Sequence, residues 1–197
     1  MRKVIIKRKT KETNIAIALN LDGNGKSKIK AGIGFLDHML TLFSKHGLFD
    51  LDIKAKGDLE VDNHHTNEDV GICLGQAFAK ALGNKKGISR YGYSFVPMDE
   101  SLASVRVVLD ISARPSLYFN KSAKIIDASE TYTIQDAKEF LKAFSVNSGI
   151  NMHVDVLRGE DTHHIIEAMF KAFARAMKDA VKIDKRVKGV PSTKGKL

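Results

Sequence analysis

The chain carries one short signature twice, as Asp62-Asn63-His64-His65-Thr66-Asn67-Glu68 and as Asp161-Thr162-His163-His164-Ile165-Ile166-Glu167. Two adjacent histidines followed by a glutamate, recurring 99 positions later ahead of a second apolar-periodic stretch, constrain the fold more than any bulk property. Each copy predicts the opening of a helix. On a helix His64 and Glu68 stand at i,i+4 and His65 and Glu68 at i,i+3, so imidazoles and carboxylate share a face, and His163, His164 and Glu167 repeat the arrangement. Neutral imidazole nitrogens with a carboxylate are suitable ligands for a divalent transition metal. A single copy would as readily cap a turn. Two copies in parallel surroundings point to duplicated units sharing a metal chemistry.

The remaining periodicity supports two such units. Val4 to Ile6 and the alternating Ile15, Ile17, Leu19 and Leu21 predict strands, with Asp22-Gly23-Asn24-Gly25 as a hairpin turn. Phe35, Met39, Leu42 and Phe43 predict a buried helical face, closed at Lys45-His46-Gly47 with Gly47 in the turn. Leu48 to Ala55 reads as a strand, and Val70, Cys73, Leu74, Phe78, Ala81 and Leu82 stripe the helix behind the first histidine pair.

The later part repeats that order. The alternating rings Tyr91, Tyr93 and Phe95 read as packing residues of a strand, followed by strands at 104–111 and around Tyr118 and Phe119. Ala137, Phe140, Leu141 and Phe144 predict a helix, and 150–156 a strand with His153 on the face opposite Met152 and Val154. A last helix runs from about Thr162 to Lys182, burying one broad face through Ile165, Met169, Phe170, Phe173 and Met177 while Lys171, Arg175 and Lys178 stay wet. The expected fold class is α+β, two layers of helices and sheet in duplicated halves, rather than a doubly wound nucleotide fold. The halves are 1–87 and 88–188, with 189–197 as a C-terminal tail.

A length of 197 residues suffices for one core or two packed halves. The excess of 32 basic over 23 acidic residues, a formal charge of +9, suits a phosphorylated small substrate, a nucleic acid or a solvated surface. Cys73 is the sole cysteine, which excludes an intramolecular disulfide and a cysteine-rich metal site. With no secretory leader or long apolar run, a soluble cytoplasmic protein without membrane contact is expected.

Several polar residues acquire meaning only by convergence. Glu12 in a turn, and Asp99 and Glu100 after Pro97, are solvated carboxylates unless they meet the histidines. His38 caps or hydrogen-bonds unless it joins the metal clusters, and His46 at a helix end can orient a phosphate or a hydroxyl. Arg114 before Pro115 forms a surface ion pair or binds phosphate. Ser192 and Lys194 in the tail offer donors to a phosphate, although the segment does not match a P-loop.

Taken together, GIGFLDHML, HGLFDL, GDLEVDNHHTNEDVGICLG, ALGNKKGISRYG, PMDESL, the His153 strand, GEDTHHIIEAMFKAFARA and PSTKG closely resemble the imidazoleglycerol-phosphate dehydratase family of histidine biosynthesis, over nearly the full chain. The resemblance implies a duplicated ribosomal-protein-S5-domain-2-like fold and a large homo-oligomer of 24 subunits with sites at subunit interfaces. It implies two divalent metal ions per active site, Mn2+ in type, held by His38, His64, His65, Glu68, His153, His163, His164 and Glu167, with their partition between ions and chains open. It assigns Arg90, Arg114, Ser192 and Lys194 to the substrate phosphate, with Lys171 a further contributor. Glu12, His46, Asp99 and Glu100 become catalytic candidates on the substrate side.

The reaction implied is dehydration of D-erythro-imidazoleglycerol phosphate to imidazole acetol phosphate and water. The two ions would help deprotonate the substrate imidazole, the ring would expel the adjacent hydroxyl through a diazafulvene-like intermediate, and Glu12 is the first choice to take the carbon-bound proton. The chain departs from the family pattern in three places: GEDTHH in place of an asparagine two positions before the histidines, ISARP in place of SGRP, and the stretch 121–132. Ala113 in place of glycine is expected to constrain the Arg114 turn. The alternatives are a metal-dependent hydrolase or isomerase acting on another phosphorylated metabolite and, more weakly, a nucleic-acid-binding protein; the dehydratase reading itself implies no nucleic-acid partner.

Overall fold

The computed structural model describes residues 2–99, 105–122 and 131–197. Among these described residues, twelve elements follow one order twice. The first series is β1 (Lys3–Lys9), β2 (Thr13–Asn20), β3 (Ser27–Lys30), α1 (Gly34–Gly47), β4 (Asp50–Gly57) and α2 (His64–Leu82). The second is β5 (Tyr91–Val96), β6 (Val105–Asp110), β7 (Ser116–Lys121), α3 (Ile134–Ser148), β8 (Asn151–Val156) and α4 (Thr162–Val181).

Each series builds a four-stranded sheet of matching topology, β1-β2-β4-β3 and β5-β6-β8-β7, with two antiparallel pairings and one parallel. The Asp22–Gly25 turn is therefore not a hairpin. β3 runs past β2 and joins the far edge of β4 in parallel, because the inner residue Ile29 lies beside Ile53 there, in register with the buried side of β4.

The helices lie between the sheets. α2 packs on β1 and β2, α4 on β5 and β6, and the layers meet as two cross-half pairs, α2 with α3 and α1 with α4. Phe43, Phe78, Phe144 and Phe173, one from each helix, are all fully buried, with Phe43 and Phe173 rings 4.7 Å apart. Burying such side chains contributes roughly 1.5–3 kcal/mol each, so the joint between halves is a true core.

Close packing explains two departures from the expected pattern. The rings of Tyr91, Tyr93 and Phe95 are exposed, and Gly92, Ser94 and Val96 face inward instead. A Cβ on Gly92 would run into the Ala176 carbonyl, so α4 sits so near β5 that the small residues must take the inner side. The same approach buries α4 nearly all round: Ala168, Ala172, Ala174, Ala176 and Ala180 are buried alongside the expected large residues, because short side chains let β5 and α1 close on opposite flanks.

The end of α1 also differs. Gly47 remains in the helix, where a Cβ would strike the Phe49 ring, and Leu48 takes the left-handed conformation with φ 58°, its N–H donating to Ser44 O. The strand after it begins at Asp50 rather than Leu48.

Candidate metal centre

Because α1 packs against α4, His38 from the first half arrives beside the second histidine pair. His38 Nε2 and His163 Nε2 each lie 3.3 Å from Glu167 Oε2, and Lys171 Nζ lies 2.5 Å from Glu167 Oε1. The helix supplies His163, Glu167 and Lys171 at successive i,i+4 positions, which is why one face of α4 carries all three. Asp161 caps that helix through its Oδ1, which accepts from the backbone N–H of His163 at 2.6 Å and of His164 at 3.2 Å. Phe35 of α1 meets the His163 ring edge-on, centroids 5.0 Å apart.

Burial would raise the Glu167 pKa, but hydrogen bonds from Lys171, His38 and His163 prevail and hold it below the usual carboxylate value. His46, half-buried on α1, is pushed below its ordinary value by burial and by the Lys171 and Arg175 charges of α4.

The donor atoms of His38, His163 and Glu167 all lie within 4.8 Å of one another, and among the described residues no second group of three metal-capable side chains converges in this way. Two imidazoles and a buried, ionised carboxylate fit a divalent transition ion in both donor type and spacing.

The first histidine pair lies at the start of α2, near the β1–β2 turn. His65 Nδ1 is 3.0 Å from Asp58 Oδ2, and that hydrogen bond, aided by the nearby Glu12 charge, raises the His65 pKa against an opposing effect of burial. Glu12 itself is exposed and helps line a 340 Å³ groove with Thr10, Lys56, Asp58 and Glu60. His64 and Glu68 are exposed on α2. Neighbouring residues of the HHTNED segment have structural roles: Asn67 accepts from the Tyr132 hydroxyl at 2.8 Å and donates to Asp136 O, and Asp69 pairs with Arg8 and Thr13.

The other candidate ligands lie apart from the His38 cluster. His153 projects from the exposed face of β8 and stacks on Tyr118, centroids 4.5 Å apart, and His164 Nε2 is 3.9 Å from Asp99 Oδ2. Glu100 lies outside the described residues.

A third group joins the expected phosphate ligands to the tail. Arg90 donates to Asp110 at 2.6 and 3.1 Å and through Nη1 to the Pro191 carbonyl at 2.8 Å. Arg114 Nη2 stands 3.9 Å from Asp110 Oδ2, its side chain 71% exposed. The tail is held by Gly87 N–H donating to Gly189 O and forms a turn in which Lys194 N–H donates to Ser192 Oγ at 3.2 Å. Sequence reasoning missed Asp58, Asp110 and Asp161. For Asp161 the signal existed, since an aspartate precedes both histidine pairs. Asp58 and Asp110 gain their partners only through strand geometry.

The family model described as imidazoleglycerol-phosphate dehydratase matches residues 31–177. The chain belongs to the imidazoleglycerol-phosphate dehydratase family. An imidazoleglycerol-phosphate dehydratase of Acetivibrio thermocellus is 59% identical over 196 residues, covering 100% of this chain and 99% of that one. The dehydratase of Thermoanaerobacter pseudethanolicus is 57% identical over 197 residues, with 100% of both chains covered. Two solved dehydratases share the fold. The Staphylococcus aureus enzyme superposes with a TM-score of 0.79 at 39% identity, over 92% of this chain and 100% of that chain. The Pyrococcus furiosus enzyme, solved in complex with (S)-C348, gives 0.81 at 36% identity, over 98% and 100%. No helix of the described residues is long and apolar enough to cross a membrane.

Proposed function

We propose that this dehydratase works at a centre of two divalent ions, manganese in type, completed by residues from more than one copy of the chain. The chain is a hydro-lyase of histidine biosynthesis, converting D-erythro-imidazoleglycerol phosphate to imidazole acetol phosphate and water. The observation that carries the metal reading is the convergence of His38, His163 and Glu167 across the two halves; the second ion rests on the family resemblance. These three would hold one ion; His64, His65, Glu68, His153 and His164 supply the remaining donors. When bound, such ions supply Lewis-acid stabilisation of negative charge on the substrate ring.

The other steps fall to side chains of the chain itself. Glu12, exposed beside His65, takes the carbon-bound proton, and its position at a turn leaves the carboxylate free to approach a substrate. Arg90, Arg114, Ser192 and Lys194 bind the phosphate: Arg114 is the exposed, directional donor, and Arg90 ties the tail to the sheet. Lys171 contributes positive charge beside Glu167. Asp99, Glu100 and His46 are substrate-side groups that position the substrate or serve the departing hydroxyl.

The need for a second copy is supported by where the remaining donors point. α3, the helix paired with α2, has no histidine, so the first histidine pair has no counterpart of His38 on its partner helix. His153 instead lies in a cross-sheet row with Tyr93, Val108 and Tyr118, residues that are 69%, 40% and 58% exposed. An apolar row of that kind bordering a metal donor suits a contact between subunits. We place the chain in a large cytoplasmic homo-oligomer, 24 subunits by family resemblance, built from ribosomal-protein-S5-domain-2-like halves 1–87 and 88–188 with 189–197 as the phosphate-binding tail.

The test is metal analysis of the isolated assembly, followed by incubation with imidazoleglycerol phosphate before and after chelation. Release of imidazole acetol phosphate that stops on chelation and returns with Mn2+ is the expected result. Turnover that survives complete metal removal would refute the two-metal reading.

A further inference from the structure

The duplication is broken at one position beside the histidine pairs. Asp58 follows the last residue of β4 and stands seven positions before His65; the corresponding residue after β8, seven before His164, is the exposed Leu157. Asp58 Oδ2 lies 3.0 Å from His65 Nδ1, while its Oδ1 is buried with no hydrogen-bond partner in the structure. A buried carboxylate oxygen without a partner is costly to a fold, and an apolar residue such as the leucine of the second half would avoid that cost. Its retention next to a candidate ligand calls for a role other than stability.

We propose that Asp58 is a positioning residue that holds His65 as the Nδ1–H tautomer, leaving the bare Nε2 aimed outward as the ligand atom, and that this pre-orients the first histidine pair. The inference rests on the reading of His65 as a metal ligand. An imidazole that binds metal through one nitrogen commonly donates its other N–H to a carboxylate, which fixes the ring and raises its basicity. Here that carboxylate is itself largely enclosed, with Oδ1 buried in protein.

Two measurements test the proposal. In the metal-free, unaltered chain labelled with 15N-histidine, at a pH where the ring is neutral, His65 is expected as the Nδ1–H tautomer; an Nε2–H resonance for His65 would overturn the proposal without any substitution. Mn2+ binding to the assembled chain is then followed by calorimetry, and Co2+ binding by its absorption spectrum, for Asp58→Leu, Asp58→Asn and His65→Ala. Asp58→Leu is expected to lower Mn2+ affinity about 10- to 100-fold and alter the Co2+ spectrum, with the thermal midpoint unchanged or raised. Asp58→Asn, which still offers Oδ1 to the Nδ1–H, is expected to recover most of the affinity. Parental affinity in Asp58→Leu, with His65→Ala weakened, would overturn the role of Asp58 alone. Parental affinity in His65→Ala would remove His65 from the ligand set, and the proposal with it.

Discussion

His38 and Glu167 are separated by 129 positions, yet Nε2 of one lies 3.3 Å from Oε2 of the other. The contact exists because α1 of the first half packs on α4 of the second, so the candidate metal centre is a consequence of how the halves stack. Replacing Glu167 with Gln keeps the size and removes the charge that His38, His163 and Lys171 surround. The expected outcome is loss of one Mn2+ equivalent and a fall in turnover of at least ~100-fold, with the thermal midpoint little changed. Full metal stoichiometry in Glu167→Gln would remove this carboxylate from the centre.

Glu12 is exposed in the β1–β2 turn and contributes charge near His65. Glu12→Gln is expected to leave metal content and KM close to the parent while lowering kcat by about 10²- to 10⁴-fold, the range for removing a general base. A kcat within twofold of the parent would exclude it as the essential base.

The phosphate assignment separates into two kinds of arginine. Arg90 is tied to Asp110 and to the Pro191 carbonyl, so Arg90→Ala is expected both to loosen the tail and to raise KM. Arg114, mostly exposed, is expected on change to Ala to raise KM about tenfold or more with the thermal midpoint unaffected, since a charge-assisted hydrogen bond to an anion contributes about 1.5–3 kcal/mol. An unchanged KM in Arg114→Ala would move the phosphate elsewhere.

Much of this architecture was legible in the sequence, and the failures share a cause. The strand and helix periods of 15–21 and 70–82, the outward face of His153 and the helix opening at each histidine pair follow from local pattern, and the structure agrees. The exposed rings of β5 did not follow from it, because hydrophobic alternation tells which residues share a face but not which face a helix will cover; Gly92, required by the Ala176 carbonyl, decides that. Nor could the sequence join His38 to Glu167 or Asp58 to His65. Those contacts depend on the packing of α1 on α4 and on the trajectory at the end of β4. The resemblance supplied candidate ligands, and the fold brings three of them, His38, His163 and Glu167, together within one chain.

His46 gives a pH prediction. Burial and the charges of Lys171 and Arg175 lower its folded pKa below the ordinary value near 6.5. Above that value the ring is neutral in both folded and unfolded chains and contributes no pH dependence. As pH falls through the ordinary value, the unfolded chain takes up the proton first, so stability declines until the lower folded pKa is reached. A parent less stable at pH 5 than at pH 7.5, with part of that slope removed in His46→Gln, is the expected pattern in denaturant titrations. An identical slope in both proteins would show that His46 is not the group responsible.

Ala113 sits just before Arg114 with φ 55°, in the left-handed region that an L side chain enters at a cost of roughly 1–2 kcal/mol. Its methyl is exposed, so changing it to glycine gives up little packing, while glycine adds back some unfolded-chain entropy. The balance favours Ala113→Gly by about 0.5–1 kcal/mol, read as a thermal midpoint raised by a few degrees for a chain of this size. Because the same turn aims Arg114, KM for the phosphorylated substrate should be measured alongside. A raised midpoint with unchanged KM means that alanine strains the turn without misdirecting the arginine, whereas a lowered midpoint would mean that the left-handed turn is held by contacts the methyl makes.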